Sequence, residues 1–370
     1  MDLLKVESLT QLFHLMVKEE ASDLHLQVGA PPVLRINGET VYMSQYEMLI
    51  PDLMNKIIFE NLTEKQKHQL DDKGSVDLAL GISGLARFRL NVFRQRSSLG
   101  LVARIVPMQI KSSGELNLPP TISEFAKYKD GLVIIAGATG SGKSTTLAAI
   151  IEQINQNRPC HIISIEDPIE FLYRNKKAYI NQREVGIDVS TFRDALRTVL
   201  RQDPNIILLG EMRDMETVEF ALSAAETGHL VFATLHSSNV SQTISRMLDM
   251  FEPEKHHQIR LSLYFNLRGI VCQRLIPAID PNLSRVPAVE IMLNNHSVKK
   301  LIKDGEDAKI HIVLNSCERE GMQTFNKSLL DLVKKNLITE DVAFKFSPNA
   351  EELKMNLQGI FLSKTGLIGG

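Results

Sequence analysis

The feature that most constrains the fold is a glycine-rich segment at residues 137–144, which lies between an apolar run and a helical pattern. The apolar run covers residues 132–136, and the helical pattern begins at Lys143. This order, with the spacing GxxxxGK[ST], is typical of a loop whose backbone N–H groups surround a polyphosphate at the positive end of a helix. We therefore predict an α/β P-loop domain that binds ATP.

Within this loop, the chemistry of the side chains predicts separate roles. Lys143 is expected to reach the β- and γ-phosphates, and the hydroxyl of Ser144 is expected to ligate Mg²⁺. The predicted nucleotide-contacting residues are Thr139, Gly140, Ser141, Gly142, Lys143, Ser144 and Thr145. The predicted cofactors are therefore ATP and Mg²⁺.

Polar residues follow further apolar runs that have the length of buried strands. Glu166, Asp167 and Glu170 follow the run 162–165, and Glu211 follows the run 206–209. Ligands bind at the carboxyl ends of the strands in an open α/β sheet, so these ends should meet the glycine-rich loop. Hydrolysis needs one carboxylate to orient water and another to hold the water shell of the metal. Each acid taken alone is also consistent with a helix cap.

A third run, residues 230–235, is preceded by His229 and followed by His236. A zinc site at these histidines is disfavoured, because no Cys, Asp or Glu completes a ligand set at the usual spacing. Taken on the residues alone, hydrogen-bonding loop histidines are the simpler interpretation.

The chain changes its pattern near residue 106, which predicts two domains. Residues 1–106 combine an amphipathic helix with short strands, two of them joined by Asn37-Gly38, and favour a small α+β domain with an antiparallel sheet. Residues 107–120, with Pro119-Pro120, are typical of a linker. Residues 121–370 predict a parallel sheet covered on both faces, followed by a mostly helical region from about residue 253.

Composition excludes several classes. The chain has 42 basic and 44 acidic residues, a formal charge of −2, which disfavours a nucleic-acid partner. The three cysteines are far apart, so a tetracysteine zinc site is excluded and a disulfide framework is disfavoured. Neither a signal peptide nor an apolar run long enough to cross a membrane is evident, so we expect a cytoplasmic protein without direct membrane insertion.

Several longer motifs occur in a fixed order and carry a family resemblance. They are GATGSGKST at 137–145, SIEDPIEF at 164–171, NQREVGID at 181–188, LLGEMRD at 208–214 and AAETGHLVFATLH at 224–236. With these motifs, the chain resembles the PilT/PilU family of type IV pilus retraction ATPases, within the type II/IV secretion ATPase superfamily. The resemblance implies a PAS-like N-terminal domain, a RecA-like ATPase domain and a homo-hexameric ring. It also implies a peripheral place at the inner membrane through a pilus platform protein.

The resemblance also implies roles for individual residues. Glu170 matches the glutamate that polarises water, and Glu211 matches the Walker B glutamate near Mg²⁺. His229 and His236 match positions that sense the nucleotide state. Arginines of the N-terminal domain match residues that reach the phosphates when the domains close; they are Arg87, Arg89 and Arg104.

The arginine assignment has independent support from the residue pattern. In the segment 87–92, polar and apolar residues alternate, so Arg87, Arg89 and Asn91 should share one face of a strand. A solvated strand face is the alternative. An arginine supplied by a moving domain would stabilise charge in the transition state of hydrolysis.

Details within the family motifs favour a PilU-like retraction motor. Ala138, Ser164 and the segment 186–188 are more similar to PilU, whereas the segment 212–214 is more similar to PilT. A PilU-like chain would act as an accessory to a PilT-like ATPase.

Other functions remain open at this point. A pilus-assembly or type II secretion ATPase is disfavoured by the scattered cysteines and by the short segment before the glycine-rich loop. A P-loop kinase would need an acceptor site, for which there is no sequence signature. A non-hydrolysing ring subunit and a DNA-pumping ATPase are the remaining alternatives.

Overall fold

The computed structural model describes residues 3–107, 109–281 and 283–360, and its chain divides into two compact units. The first unit comprises Met1–Gln109 together with Glu170–Leu172, and the second comprises Ile110–Ile169 and Tyr173–Gly370. Leu118, inside the predicted linker, is buried in the core of the second unit. Met108 of that linker lies outside the described residues, as do residues 1–2 and 361–370.

The first unit is an α+β unit with an antiparallel sheet, as predicted. Its sheet has six strands among the described residues, in the order β3-β2-β1-β6-β5-β4. Its elements are α1 (Leu9–Lys18), β1 (Asp23–Gln27), β2 (Val33–Ile36), β3 (Glu39–Tyr42), α2 (Pro51–Phe59), α3 (Glu64–Lys73), β4 (Ser75–Ile82), β5 (Ala86–Gln95) and β6 (Ser98–Val106).

One face of this sheet carries the hydrophobic core of the first unit. Buried and accessible residues alternate along β5, as a strand with one covered face requires. Phe88 on the buried face stacks on Phe13 of α1, with ring centroids 4.1 Å apart. Arg87, Arg89 and Asn91 lie on the opposite face, which confirms the predicted alternation.

The second unit contains the glycine-rich segment and a larger α/β fold. Its elements are α4 (Pro120–Glu124), β7 (Gly131–Ala136), α5 (Lys143–Asn157), β8 (His161–Glu166), β9 (Tyr179–Glu184), α6 (Phe192–Val199), β10 (Ile206–Leu209), α7 (Met215–Glu226), β11 (Leu230–Leu235), α8 (Val240–Leu248), α9 (His256–Asn266), β12 (Leu267–Pro277), β13 (Arg285–Leu293), α10 (His296–Asp304), α11 (Ile310–Ser316), α12 (Phe325–Lys334), α13 (Glu340–Phe346) and α14 (Ala350–Leu357).

The sheet of the second unit runs in the order β13-β12-β7-β11-β10-β8-β9. Its neighbours pair in parallel except for β12 and β13, which are antiparallel. Alternate residues of β7 enter different cores: Leu132 and Ile134 pack in one cluster, and Val133 and Ile135 in the other. Both faces of the sheet are therefore covered, which explains the unbroken apolar run in the sequence.

The region after residue 253 is mostly helical, as the sequence predicted, and contains helices α9 to α14. It also contains two strands that were not predicted, β12 and β13, which form an antiparallel pair and extend the sheet next to β7. Strand β9 at the other edge was also not predicted. A short apolar run such as that of β12 has no helical or strand period that decides between the two, so these strands were missed.

Within the part of the chain that the structure describes, every helix is too short or too polar to cross a lipid bilayer.

An ion pair in the second unit fixes α9 to the segment before α11. Both Arg260 and Asp307 are largely buried, with side chains 17% and 10% exposed. Arg260 donates two hydrogen bonds to the Asp307 carboxylate, at 2.8 and 2.7 Å. It also donates to the carbonyl oxygen of Ile302 at 2.8 Å.

We predict that Arg260→Met lowers the free energy of unfolding by about 3 kcal/mol, because it leaves the Asp307 carboxylate buried without its partner. Lys127→Ala is the control, because Lys127 pairs with Glu124 at the surface and its loss should cost at most about 0.5 kcal/mol. Urea unfolding of both variants measures the difference. Equal midpoints for the two variants would show that the buried pair does not hold these segments together.

Candidate nucleotide site at the strand ends

The carboxyl ends of the central strands meet at one edge of the second unit. Strand β7 pairs in register with β11, so that Ala136 lies opposite Leu235. Strand β10 pairs with β11 and with β8 in the same direction. The segments that follow these strands therefore lie side by side, as the sequence predicted. They carry the glycine-rich loop, Glu211 and His236.

The loop connects β7 to α5 with glycines in backbone conformations that other residues rarely adopt. Gly140 and Gly142 have φ angles of 75° and 85°. A Cβ atom on Gly142 would lie 2.7 Å from Nε2 of Gln273, whereas one on Gly140 would meet nothing within 4 Å. Position 142 therefore requires glycine for two reasons, its positive φ angle and the lack of space for a Cβ atom. Ala138, Thr139 and Gly140 form the exposed rim of the loop.

Lys143 lies inside this loop. Lys143 is only 9% exposed, and its Nζ donates hydrogen bonds to the carbonyl oxygens of Gly137 and Ala138, both at 3.0 Å. The hydroxyl oxygen of Ser141 is buried and has no hydrogen-bond partner among the described residues. A buried hydroxyl of this kind normally has a partner. The loop therefore has an ammonium group and a hydroxyl group placed to receive phosphate oxygens, and the site fits a nucleotide.

Gln273 of β12 contacts this loop and was not predicted. It is 3% exposed. Its Oε1 accepts a hydrogen bond from Oγ1 of Thr146 at 2.7 Å, and its Nε2 donates to the carbonyl oxygen of Ser141 at 2.7 Å. The available signal was a polar residue in the middle of an apolar run, but that run was assigned to a helical region.

Glu211 is the centre of a hydrogen-bonded group beside the loop. Its side chain is 20% exposed, with Oε1 lying 3.1 Å from Nε2 of His236. Its Oε2 accepts a hydrogen bond from Nε of Arg213 at 2.7 Å. This bond raises the pKa of the Arg213 guanidinium above its usual value. Arg213 also lies 3.5 Å from the carboxylate of Asp167. The sequence predicted Glu211, His236 and Asp167 at this edge, but it did not predict Arg213.

The other acids after β8 have different surroundings. Glu166 is buried and accepts hydrogen bonds from Oγ of Ser164 at 2.6 Å and from Nε2 of Gln182 at 3.2 Å. These bonds give it a structural role in the sheet. Glu170 is exposed and lies in the short segment that groups with the first unit. Its role as the catalytic base stays a prediction.

His229 is not brought together with Glu211 and His236. It precedes β11, and its carbonyl oxygen accepts a hydrogen bond from the backbone N–H of Gly131 at 3.0 Å. Because β7 and β11 are parallel, His229 lies at the amino ends of the strands, opposite the loop edge. Its Nδ1 is 3.0 Å from the carbonyl oxygen of Ala224 and 3.1 Å from Oγ1 of Thr227. These contacts correspond to the simpler interpretation, a hydrogen-bonding loop histidine.

The predicted arginines lie on adjacent strands of the first unit. Arg89 of β5 is directly opposite Arg104 of β6, and both are exposed. Nε of Arg104 donates to the carboxylate of Asp23 at 2.7 Å, and Nε of Arg35 lies 3.9 Å from the same carboxylate. The Asp23 side chain is 4% exposed, so a buried acid of β1 fixes Arg104 on this face. Arg87 shares the face but lies opposite Val106.

A direct protein cage for a metal ion is absent from the described residues: no group of three or more His, Cys, Asp or Glu side chains is arranged to hold one. Ser144 lies on the first turn of α5 and is half-buried. Mg²⁺ usually keeps several waters and is bound through one or two protein groups and the substrate phosphates. The donor set of Ser144 and Glu211 fits that mode of binding.

We predict that Gly142→Ala destabilises the nucleotide-free protein more than Gly140→Ala does. Both substitutions place a side chain in the left-handed region, which costs about 1–2 kcal/mol. Only the first also drives a Cβ atom into the Gln273 amide. Thermal unfolding without nucleotide measures both variants, and equal losses would mean that the amide moves aside without cost.

Comparison with known proteins places this site in a family. Residues 4–341 match the family model described as Type II/IV secretion system protein. The type IV pilus retractation ATPase PilT of Pseudomonas aeruginosa is 39% identical over 339 residues, which are 90% of this chain and 96% of that protein. The type IV pilus ATPase PilU of the same organism is 36% identical over 348 residues, which are 94% of this chain and 91% of that protein.

A solved structure gives the same result for the fold. The crystal structure of the pilus retraction motor PilT with bound ADP is similar with a TM-score of 0.88 at 42% sequence identity. The similarity covers 94% of this chain and 99% of the PilT chain. The α/β architecture with a smaller N-terminal domain is thereby confirmed. This chain belongs to the Type II/IV secretion system protein family.

Proposed function

We propose that this chain is a motor ATPase that hydrolyses ATP to power type IV pilus retraction. The observation that carries the proposal is the loop edge of the second unit, where the ammonium group of Lys143 lies inside a glycine-rich loop. Glu211 and His236 lie on the strand ends beside it. The similarity to PilT and PilU over most of the chain supports the same function.

The residues of the loop would hold the nucleotide through its phosphates. The N-terminus of α5 and the loop N–H groups favour negative charge at this point. Lys143 would exchange its bonds to the carbonyl oxygens of Gly137 and Ala138 for bonds to phosphate oxygens. Thr139, Gly140, Ser141, Gly142, Ser144 and Thr145 would complete the binding surface. A bound Mg²⁺ would supply charge neutralisation at the phosphates.

The acids would then divide the work of hydrolysis. Glu211, fixed by Arg213 and close to His236, would orient the water shell of the metal. His236 contacts the same carboxylate and would sense the nucleotide state through it. Glu170 would polarise the attacking water, which is the role that its match to the family motif implies. The proposed role of His229 at the opposite edge of the sheet is to sense the nucleotide state without belonging to this group.

The conversion of hydrolysis into movement would involve the first unit and other subunits. Arg87, Arg89 and Arg104 would reach the phosphates when the two domains close, and so stabilise the charge of the transition state. The proposed linker at residues 107–120 would act as the hinge between domains 1–106 and 121–370. Six copies would form a closed ring with head-to-tail interfaces.

The proposed partners follow from this role. The ring would act on an inner-membrane pilus platform protein and would lie in the cytoplasm, at the membrane only through that partner. In the PilU-like role that we propose, this chain would act together with a PilT-like ATPase. The near-neutral charge of the chain speaks against a nucleic-acid substrate.

We predict that Lys143→Ala abolishes ATP binding, whereas Glu170→Gln retains binding and slows hydrolysis on the order of 10²–10⁴-fold, the cost of losing a positioned general base. Steady-state phosphate release from Mg-ATP, measured beside nucleotide binding, separates the two effects. Glu124→Gln is the control, since Glu124 pairs with Lys127 at the surface.

Two outcomes would contradict this account. If Glu170→Gln hydrolyses ATP as fast as Glu124→Gln does, another group activates the water. If the purified wild-type chain binds ATP and releases no phosphate even when concentrated, it is an accessory subunit, and adding a PilT-like ATPase should then restore turnover.

Deletion of the gene separates retraction from assembly. A retraction motor predicts cells with an excess of surface pili that do not retract, because extension continues without it. A pilus-assembly ATPase predicts cells without surface pili. Counting surface pili by fluorescence microscopy, in the deletion strain and in a strain complemented with the Lys143→Ala variant, measures the difference. A bald deletion strain would overturn the retraction proposal.

A further inference from the structure

We propose that Gln273 is a positioning residue for nucleotide binding, and that its side-chain amide holds the phosphate loop in the shape that receives phosphate groups. The proposal rests on the nucleotide site proposed above. It adds a residue from a distant part of the chain, since Gln273 lies on β12 and the loop follows β7.

The amide connects the end of the loop to the first turn of the helix that follows. Nε2 donates to the carbonyl oxygen of Ser141, and Oε1 accepts from the hydroxyl of Thr146, each at 2.7 Å. Between these two partners lie residues 142–145, which include Lys143. One buried side chain therefore fixes the loop on both sides of its lysine.

The contact with Ser141 sets the direction of the next backbone N–H. In a trans peptide unit, the C=O of one residue and the N–H of the next point in opposite directions. Because Gln273 binds the carbonyl group of Ser141, the N–H of Gly142 points away from Gln273. Loop N–H groups that point together in this way form the concave surface that binds anions. The amide therefore acts on phosphate binding through the loop backbone.

The chemistry of this position favours glutamine over its nearest relatives. The carbonyl oxygen of Ser141 can only accept a hydrogen bond, so the NH₂ group must face it, and the hydroxyl of Thr146 can then donate to the amide oxygen. Leucine would leave both partners unpaired in a buried place. An ionised glutamate could still accept from Thr146, but its second oxygen would set an acceptor against the Ser141 carbonyl oxygen. Only a side chain with one donor end and one acceptor end satisfies both partners.

The space around the amide also links it to the loop glycines. A Cβ atom on Gly142 would lie 2.7 Å from Nε2 of Gln273, and one on Gly137 would lie 2.6 Å from the backbone oxygen of Gln273. Strand β12 thus lies directly against the loop at its beginning and at its end. The close approach is possible because both loop positions lack a side chain.

The test compares Gln273→Leu and Thr146→Val with the control Asn326→Leu in the full-length chain. Asn326 is also a buried amide, 1% exposed, but it binds the carbonyl oxygen of Asn349 and the carboxylate of Glu352 between helices α12 and α14. Isothermal titration with Mg-ADP measures binding, and steady-state phosphate release separates KM from kcat.

We expect Gln273→Leu to weaken Mg-ADP binding about tenfold, the effect of losing one to two buried hydrogen bonds. Thr146→Val removes one of the same bonds and should weaken binding about threefold. Both should raise KM while kcat at saturating ATP changes less than about threefold, because binding is the affected step. Asn326→Leu should lower the melting temperature and leave the binding constant unchanged.

A second readout uses pH. In Gln273→Glu, the introduced carboxyl would be ionised at high pH and would repel the Ser141 carbonyl group. Burial raises the pKa of such a carboxyl, so that lowering the pH protonates it and restores a donor. We expect the Mg-ADP affinity of this variant to approach that of the wild type as the pH falls from 8 toward 6. The wild type, titrated over the same range, corrects for protonation of the nucleotide.

The outcomes separate this inference from the proposed function. If the wild type binds Mg-ADP and the Leu, Val and Glu variants bind within twofold of it at every pH, the positioning role of Gln273 is wrong and the nucleotide site stands. If Asn326→Leu weakens binding as much as Gln273→Leu does, the effect is general destabilisation, and the inference is also wrong. If the wild type binds no nucleotide, the proposed function is overturned together with this inference.

Discussion

The parallel pairing of β7 with β11 is the constraint on which the rest of the second unit depends. In this register Ala136 lies opposite Leu235, so that the loop after one strand and His236 after the other start at the same level. Strand β10 joins β11 in the same direction and brings Glu211 to within 3.1 Å of His236. A slip of β10 against β11 by one residue would separate Glu211 from His236, and a slip of β7 would displace the loop from both of them.

Burial on both faces of this sheet explains why its strands are apolar without alternation. Leu132 and Ile134 pack in one core and Val133 and Ile135 in the other, so neither face of β7 is free. The sheet of the first unit differs, because its strand β5 has one buried face and one polar face and so alternates in sequence. Two sheets with different burial thus account for the change of pattern near residue 106. Arg89 and Arg104 lie on the polar face of the first unit for the same reason.

Local signals explain which parts of the site could be predicted. The glycine-rich loop, Glu211 and His236 each follow a strand whose apolar run is unambiguous, so their place at one edge followed from the rule for parallel sheets. Gln273 could not be found in this way, because β12 follows α9 directly and its apolar run has no deciding period. The family resemblance gave His229 and His236 the same role, but they lie at opposite ends of strand β11. The contacts of Arg213 depend on loop geometry after β10, which no periodicity describes.

The most direct test of the central claim is a structure of this protein with Mg²⁺ and a non-hydrolysable ATP analogue. The account predicts that the phosphates lie in the loop formed by residues 137–142 and that the metal lies between Ser144 and Glu211. It also predicts that Nζ of Lys143 has moved from the carbonyl oxygens of Gly137 and Ala138 to the phosphate oxygens. A nucleotide bound elsewhere, or a Lys143 that keeps its bonds to the loop carbonyls, would contradict it.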